Sequence, residues 1–383
     1  MSKLLELQDV VLRFYTYEGV VKALEKSTLF LKKGETLGVV GETGCGKTMT
    51  GLSVLSLIPP PGRIEGGKVL FQDGEKVIDL LSQKDATLRS IRGRHISMIF
   101  QEPGAALNPV YTVGDQIAEV LLLHRKKELS EKVLAQIEKE EIEGKKRKLQ
   151  KMRKWKRGIE KKIYGKMLKN PNALTLRIYS KIPIIGRFGR LKKETKKEVV
   201  HILREMEIAD PVRVASMYPH ELSGGMQQRI VIGIALACNP IVLIADEPTT
   251  SLDVTVQAQI LELIRRLKSK FGSSIMYITH DMGVIAELCD RVAVMYAGSV
   301  CEIAEVKELF KDPMHPYTKG LLESIPRPGK EFKSISGMVP SLVDPPTGCR
   351  FHPRCLFAKV ICTGERPKMK EVKKDHFIAC YLY

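Results

Sequence analysis

The sequence predicts an α/β protein with a parallel sheet at its core. A short apolar run, TLGVVG (Thr36 to Gly41), stops at glycine as a buried parallel strand does, and the helical stretch KTMTGLSVLSLI follows it. Two more apolar runs, IVLIAD and SSIMYITH, alternate with helical stretches such as TVQAQILELIRRLKSK. Strands and helices that alternate along a chain form a parallel sheet with helices on both faces.

Three further parts are expected around this core. The opening LLELQDVVLRFYTY is typical of a strand, and KVLFQDGEKVI predicts a hairpin with its turn at Asp73-Gly74, so we expect an N-terminal antiparallel β subdomain. Residues from about 106 to 205 interrupt the alternation and predict a helical subdomain. The Pro-rich passage IPRPG marks a boundary between residues 1–325 and a small Cys-rich C-terminal domain, residues 326–383.

The net charge of +18 is concentrated in one stretch of the chain. Residues 124–200 hold 26 Lys and Arg against 9 Asp and Glu, so about 125–197 forms a basic insertion in the helical subdomain. The insertion could bind RNA or DNA phosphates, lie against anionic lipid with Trp155 and Tyr164 at the interface, or form a solvated helical elaboration. Of these three alternatives we favour the solvated helical elaboration, and we consider lipid contact ahead of nucleic-acid binding. We expect no nucleic-acid partner.

Neither a signal peptide nor a transmembrane helix is expected from the hydropathy. The opening MSKLLELQDV lacks the long apolar segment of a secretory signal. The apolar run RIVIGIALAC is broken at Asn239-Pro240 before it reaches the length that spans a bilayer. If the chain works at a membrane, other chains must supply the membrane spans.

The sequence GETGCGKT between the first buried strand and its helix predicts a phosphate-binding loop. Its glycines let backbone N–H groups face nucleotide phosphates at a helix N-terminus, where the dipole favours anions. Lys47 would reach the β- and γ-phosphates, and the Thr48 hydroxyl would bind Mg²⁺. The residues expected to bind the nucleotide here are Gly41, Glu42, Thr43, Gly44, Cys45, Gly46, Lys47 and Thr48.

Two downstream segments add further candidate residues. IVLIADE places two carboxylates at the C-terminal end of a strand, where α/β sheets bind ligands. Asp246 would hold Mg²⁺, directly or through water, and Glu247 would orient or deprotonate the attacking water. LSGGMQQ contains Ser223, Gly224 and Gly225, for which the residues alone give no use within a single subunit.

The three motifs in this order resemble the ATP-binding-cassette (ABC) ATPases, which hydrolyse ATP only as paired subunits. The resemblance implies a P-loop NTPase fold that binds ATP and Mg²⁺. It also implies that LSGGMQQ opens a helix facing the γ-phosphate bound by the opposite subunit. The Ser223 hydroxyl and the Gly224 and Gly225 amides would then complete an anion site.

The resemblance extends to other positions. Gln101 matches the glutamine that contacts Mg²⁺ and couples the site to the membrane subunits, and His280 matches the histidine that senses the γ-phosphate. SLD (Ser251 to Asp253) matches the loop that meets the partner cassette. Tyr17 is placed to stack on adenine, with Tyr15 as the competing choice. Cys45 departs from the serine more often found in this loop, which should cost little because the backbone does the binding there.

Three features narrow the resemblance to the ATP-binding subunits of oligopeptide/dipeptide importers, a group with relatives that import sugar oligomers. They are LNPVYTVGDQI, HPYTKGLLESIPRPG and the Cys-rich tail. The resemblance implies a second, homologous cassette, two transmembrane permease subunits, an extracytoplasmic solute-binding protein, and a peripheral position on the cytoplasmic face of the membrane. The alternative is a soluble ABC ATPase acting on the ribosome or nucleic acid. Translation-linked relatives usually carry two cassettes in one chain, whereas this chain has one.

The tail carries four cysteines with gaps wider than the C-x2-4-C pairs of zinc modules. Four thiolates also suit a [4Fe–4S] cluster, and related importer subunits carry one, which favours the cluster and leaves zinc as the alternative. Because the tail follows all the nucleotide motifs, a cluster there should have a mainly structural role. The expected ligands are Cys349, Cys355, Cys362 and Cys380.

Overall fold

The computed structural model describes most of the chain and divides it into two compact units. The first unit joins Met1–Gln101 to Pro240–Tyr383, and the second is Glu102–Asn239. The side chains of residues 141–143 and 151–156 are not described. The residues that the structure describes are 2–143, 151–170, 189–250, 252–325 and 335–383.

The strands belong to two sheets. A four-stranded sheet has the order β2-β1-β4-β5, and an eight-stranded sheet has the order β11-β12-β10-β9-β3-β8-β7-β6. The strands are β1 (Lys3–Thr16), β2 (Gly19–Lys32), β3 (Thr36–Val40), β4 (Gly62–Asp73), β5 (Lys76–Asp79), β6 (Ile96–Ile99), β7 (Val242–Asp246), β8 (Ser274–Ile278), β9 (Arg291–Tyr296), β10 (Ser299–Glu305), β11 (Lys370–Lys373) and β12 (His376–Ile378).

Helices connect the strands of the first unit and make up the second. They are α1 (Lys47–Val54), α2 (Asp85–Ile91), α3 (Pro103–Ala106), α4 (Val113–His124), α5 (Lys126–Glu143), α6 (Lys151–Lys169), α7 (Gly189–Glu205), α8 (Pro211–Val214), α9 (Gly224–Leu236), α10 (Val254–Phe271), α11 (Met282–Leu288), α12 (Val306–Lys311), α13 (Pro316–Glu323) and α14 (Ile361–Gly364). No helix in the described ranges is long and apolar enough to cross a membrane.

The predicted parallel core is confirmed. Strands β9, β3, β8, β7 and β6 run parallel and lie side by side in that order. Every residue of β3, β7 and β8 is buried, as continuous apolar runs require when helices cover both faces of a sheet. Because neighbouring parallel strands all end at one edge, the loops that follow them meet there.

The N-terminal antiparallel sheet is also confirmed, with its hairpin shifted by one residue. Asp73 pairs with Lys76 across the β4–β5 turn, so the two central turn residues are Gly74 and Glu75. Gly74 adopts a φ of 62°, a left-handed conformation that glycine accepts without a steric penalty. The predicted turn at Asp73-Gly74 is therefore one position early.

The described part of the basic insertion is a packed helical bundle within the second unit. One apolar stripe of α5 (Leu129, Val133 and Ile137) is fully buried, at the spacing of a helix face. Arg190 of α7 ties the bundle together, because its guanidinium lies 2.8 Å from a Glu140 oxygen and 3.0 Å from a Glu160 oxygen. Of the insertion's breaks, Gly144, Asn170-Pro171 and Pro183 fall wholly or partly outside the described residues, as does the Trp155 side chain.

The Cys-rich tail belongs to the first unit and extends its sheet. Strand β12 pairs with β10 through Glu302 opposite Ile378, and β11 pairs with β12. The tail is thus not set apart as a compact unit of its own. The expected domain boundary after residue 325 stays a prediction, and most of the IPRPG passage lies outside the described residues.

Candidate functional site

The loop after β3 has a backbone that only glycine can adopt at key positions. A Cβ atom on Gly41, whose φ is 154°, would lie 2.1 Å from the Met295 carbonyl oxygen. A Cβ on Gly46, whose φ is 99°, would lie 2.9 Å from the Ala23 carbonyl oxygen. The loop therefore packs its backbone directly against neighbouring backbone before helix α1 begins.

Lys47 begins helix α1 and is buried. Its Nζ donates to the carbonyl oxygens of Gly41, at 2.8 Å, and of Glu42, at 3.3 Å. The ammonium group is thus held inside the loop, where a polyphosphate would bind. Cys45 is buried beside it, and burial raises the pKa of the Cys45 thiol to about 11, so this residue stays neutral.

The two expected Mg²⁺ ligands touch each other. Thr48 Oγ1 donates to Asp246 Oδ1 at 3.1 Å, and Asp246 is buried at the end of β7. Burial raises the pKa of Asp246 to about 6, and the neighbouring Glu247 charge adds to this rise, while the Thr48 hydrogen bond and Lys47 oppose it. A buried carboxylate beside a hydroxyl supplies the oxygen ligands that Mg²⁺ prefers, so the residues fit this ion.

Glu247 occupies a left-handed backbone conformation, with a φ of 44°. Its backbone N–H donates to the Ile278 carbonyl at 2.9 Å, which holds this unusual conformation in place. Its carboxylate contacts three side chains: His280 Nδ1 at 3.1 Å, Gln101 Nε2 at 3.4 Å and Thr250 Oγ1 at 3.0 Å.

The order of the parallel strands explains this convergence. The phosphate loop follows β3, His280 comes two residues after β8, Glu247 follows β7, and Gln101 comes two residues after β6. These four strands are adjacent in the sheet, so their carboxyl ends share one edge. Lys47 and Asp246 have the chemistry to hold MgATP, and the Glu247 carboxylate beside them is oriented by its side-chain contacts.

The LSGGMQQ segment lies in the second unit and begins helix α9. Ser223 is the N-cap residue, and its Oγ accepts the Met226 N–H at 3.4 Å. Ser223 and Gly224 are exposed and Gly225 is half-buried, so the first amides of this helix are open to a ligand.

Two expected contact residues lie on the surface of the first unit. Tyr17 is fully exposed in the turn between β1 and β2, whereas the Tyr15 hydroxyl donates to the Glu65 carboxylate. Asp253 caps helix α10 by accepting the Val256 N–H at 3.0 Å. Ser251, the first residue of the SLD loop, lies outside the described residues.

The four tail cysteines line one cavity. The Lys359 N–H donates to the Cys362 Sγ at 3.4 Å, whereas burial raises the pKa of Cys349 to about 11 and also raises the pKa values of Cys355 and Cys380. In the described part of the chain, however, no three His, Cys, Asp or Glu residues are spaced to hold a single metal ion.

A loop of backbone amides beside a buried, Mg²⁺-type carboxylate is the arrangement of P-loop nucleoside triphosphatases. The family model described as "ABC transporter" matches residues 24–250, which include the loop, LSGGMQQ and Asp246-Glu247. A second model, described as "Oligopeptide/dipeptide transporter, C-terminal region", matches residues 301–362. The chain therefore belongs to the ABC transporter family, and it is an ATPase of the cassette type.

Curated relatives match over the whole chain. The "Dipeptide transport ATP-binding protein DppD" of Bacillus subtilis is 40% identical, with 100% of this chain and 95% of that protein covered. The "Oligopeptide transport ATP-binding protein OppD" of the same organism is 39% identical, with 100% and 89% covered. Relatives of this identity and coverage place the chain among the peptide-transport branch of the family.

Solved structures share the fold at lower identity. The bacterial ABC transporter cassette MJ0796, described as dimeric, is 23% identical with a TM-score of 0.54, covering 79% of this chain and 99% of that one. A dimeric post-hydrolysis state of MJ0796, bound to ADP and Pi, is 22% identical with a TM-score of 0.55 and the same coverage. At this identity the likeness shows the cassette fold alone.

Two residues that contact the candidate site are not among those predicted from the sequence. Thr250 donates to Glu247, and Tyr317 accepts the backbone N–H of Glu42 at 2.9 Å. Thr250 lies three residues after Glu247 in sequence, so its proximity in the chain could have indicated the contact. Tyr317 lies within the HPYTKGLL stretch, which from sequence alone is only a marker of the family.

Proposed function

We propose that the chain is the ATP-hydrolysing subunit of a membrane importer for dipeptides, oligopeptides or related solutes, including oligosaccharides. The observation that carries this proposal is the match of residues 301–362 to the peptide-transporter C-terminal region, joined to a complete cassette. The contacts of Glu247 with His280 and Gln101 support hydrolysis, because they orient a carboxylate where a water would attack.

In the proposed mechanism two cassettes close face to face around ATP. The phosphate loop of one chain, with Lys47, holds the nucleotide. The other chain completes the anion site around the γ-phosphate of that nucleotide through Ser223, Gly224 and Gly225. The exposed N-terminus of helix α9 supports this role. The partner cassette is a homologous chain, and hydrolysis lets the pair separate.

The proposal gives the chain a peripheral place on the cytoplasmic face of the membrane, beneath two permease subunits. An extracytoplasmic binding protein delivers the solute. The printed names of the relatives, which are transport ATP-binding proteins, support this setting. The same relatives do not favour the alternative of a soluble ABC ATPase acting on the ribosome or nucleic acid.

The sequence alone favours a solvated helical elaboration for the basic bundle, but the exposed lysines of helix α7 lead us to propose that it contacts anionic lipid. Helix α7 buries Leu191, Thr195 and Val199 on one side. Its other side carries the exposed lysines Lys192, Lys193, Lys196 and Lys197. A row of lysines on a rigid helix attracts an anionic surface, and the attraction weakens as salt rises.

For the tail we propose one [4Fe–4S] cluster held by Cys349, Cys355, Cys362 and Cys380. Their shared cavity, and the Lys359 N–H that donates to the Cys362 sulfur, support a group held by cysteine sulfurs. Such a cluster would supply local folding free energy to the tail.

The central proposal is tested by purifying the native complex from a membrane fraction through a tag on this chain. We expect two permease chains and a second cassette to copurify, and ATPase activity of the reconstituted complex to rise with a binding protein loaded with peptide. Copurification with ribosomes, and no permease, would overturn the proposal.

A further inference from the structure

The second residue of the phosphate loop, Glu42, is held by two residues from far along the chain. Arg354 donates to both carboxylate oxygens of Glu42, with Nη1–Oε2 at 2.8 Å and Nη2–Oε1 at 3.1 Å. The backbone N–H of Glu42 donates to the Tyr317 hydroxyl at 2.9 Å. Both contacts lie inside the first compact unit. Glu42 is therefore held through both its side chain and its backbone.

Arg354 is itself fixed in place, with a side chain only 5% exposed. Its Nη1 also donates to the Tyr296 hydroxyl at 3.2 Å, and its guanidinium lies over the Tyr296 ring at 5.7 Å. Its remaining donors reach the carbonyls of Ser336, at 3.0 Å, and Ile335, at 3.3 Å. A two-pronged guanidinium with so little freedom fixes the position of its partner carboxylate.

A second tail arginine supports the other side of the loop. Arg350 is buried and donates to the Ala297 carbonyl. The next residue, Gly298, donates its N–H to the Cys45 carbonyl within the loop at 2.8 Å. Arg350 follows Cys349 and Arg354 precedes Cys355, so both contacts start beside the cysteine cavity.

The charge of Glu42 explains why such a contact is needed. The carboxylate belongs to the residue after Gly41, in a loop that receives a polyanion, and the Glu42 carbonyl accepts from Lys47. Without a partner, the Glu42 carboxylate would repel the triphosphate and compete with it for the Lys47 ammonium. Paired with Arg354, it is neutralised in a partly buried site where charges are poorly screened.

We propose that Arg354 is a positioning residue for ATP binding, which neutralises Glu42 and holds the phosphate loop in its binding conformation. The segment that follows the cassette motifs is then part of the nucleotide-binding machinery. The contact acts alike before and during the reaction, so its loss appears in the KM for ATP far more than in kcat.

The test measures the Kd of a fluorescent ATP analogue on the full chain, and KM and kcat on the assembled transporter. We expect Arg354→Ala to weaken binding about tenfold. Arg354→Lys should recover part of the loss, because it restores the charge without the two-pronged geometry. Lys373→Ala, which removes an exposed ion pair with Asp312 from the same tail, is the matched control and should leave Kd unchanged.

A double-mutant cycle separates positioning from general stability. In a Glu42→Gln background there is no unpaired carboxylate, so Arg354→Ala should cost less than about threefold there. Wild-type Kd in Arg354→Ala overturns the proposal. An equal loss in both backgrounds also overturns it, because Arg354 would then act through the fold of the tail rather than through Glu42.

Discussion

His280 Nδ1 lies 3.1 Å from a carboxylate oxygen of Glu247, although the two residues follow different strands of the sheet. The other oxygen of Glu247 is approached by Gln101 and Thr250. Three side chains therefore fix one carboxylate, whose backbone already adopts a left-handed conformation. A carboxylate fixed in this way can accept a proton from water without first having to reorient.

Replacing Glu247 with Gln should leave ATP binding intact and nearly abolish turnover. Removing a general base lowers the rate by roughly 10²- to 10⁴-fold, while Lys47 and Asp246 still hold MgATP. ATP-driven pairing with the second cassette should persist and be detectable by size-exclusion chromatography. Thr250→Ala, which removes one hydrogen bond but keeps the carboxylate, should cost far less. Turnover at the wild-type rate in Glu247→Gln would remove this residue from the mechanism.

Magnesium binding should weaken as the pH falls through about 6. Burial raises the pKa of Asp246 to about 6, and protons then compete with Mg²⁺ for the same oxygens. Below that pH the apparent Mg²⁺ affinity should fall by up to about tenfold per pH unit. Asp246→Asn should bind Mg²⁺ more weakly throughout and show only the pH dependence of the nucleotide itself. If Mg²⁺ affinity depended on pH in the same way in the wild type and in Asp246→Asn, Asp246 would not be the group that competes for protons.

The same carboxyl should affect stability in the opposite direction when Mg²⁺ is absent. A folded-state pKa above the unfolded value means that the native state binds the proton more tightly. Asp246 therefore contributes stability at low pH that is lost as the pH rises through about 6. The thermal midpoint of Asp246→Asn, relative to wild type, should accordingly be higher at pH 7 than at pH 5. Calorimetry in a chelator tests this, and a pH-independent difference would refute it.

Reversing charges on helix α7 should weaken binding to anionic vesicles. Changing Lys192 and Lys196 to Glu removes two exposed lysines from the bundle, each worth about 1 kcal/mol at such a surface. We expect a loss of tenfold or more at low salt and a smaller one at high salt. Lys33→Glu with Lys76→Glu makes the same charge change in the first unit and serves as the control. Equal vesicle binding by both pairs would end the lipid proposal, and tighter binding to RNA than to vesicles would favour the alternative function.

Protein purified without oxygen should be brown and contain about four irons per chain. Changing Cys349, Cys355, Cys362 or Cys380 to Ser should bleach the colour and expose the tail to proteolysis, because the thiolates would no longer hold it together. Cys238→Ser, in the second unit, should keep both colour and resistance. Stoichiometric zinc in place of iron would show that the other metal occupies the cavity.

Most strands of the parallel core could be predicted from local sequence patterns. The runs TLGVVG, IVLIAD and SSIMYITH became β3, β7 and β8, because a continuous apolar run of five residues has few other ways to be buried. Strands β11 and β12 were missed. Their sequences, KEVK and HFI, are only four and three residues long, and they become strands because β12 pairs with the edge of β10 and β11 pairs with β12.

The residues of the candidate site could be named from the sequence, whereas their contacts could not. Lys47, Asp246 and Glu247 follow from spacing, since each belongs to a motif that is continuous in sequence. The pairing of Glu42 with Arg354 joins positions 312 residues apart, and no local pattern reports it. The motifs alone therefore predict only a structural role for the tail, whereas the structure brings one of its arginines to the phosphate loop.

The four-stranded sheet at the start of the chain also makes contacts with residues near the end of the chain. Lys22 of β2 donates its backbone N–H to Leu342, and Lys32 pairs with Asp375 through a 2.7 Å contact. During synthesis these early strands must wait for partners made more than 300 residues later. Such long-range closure is slow to form. The phosphate loop is made equally early, but its Glu42 pairs with Arg354, 312 residues later. A nascent chain should therefore acquire tight ATP binding only near the end of its synthesis.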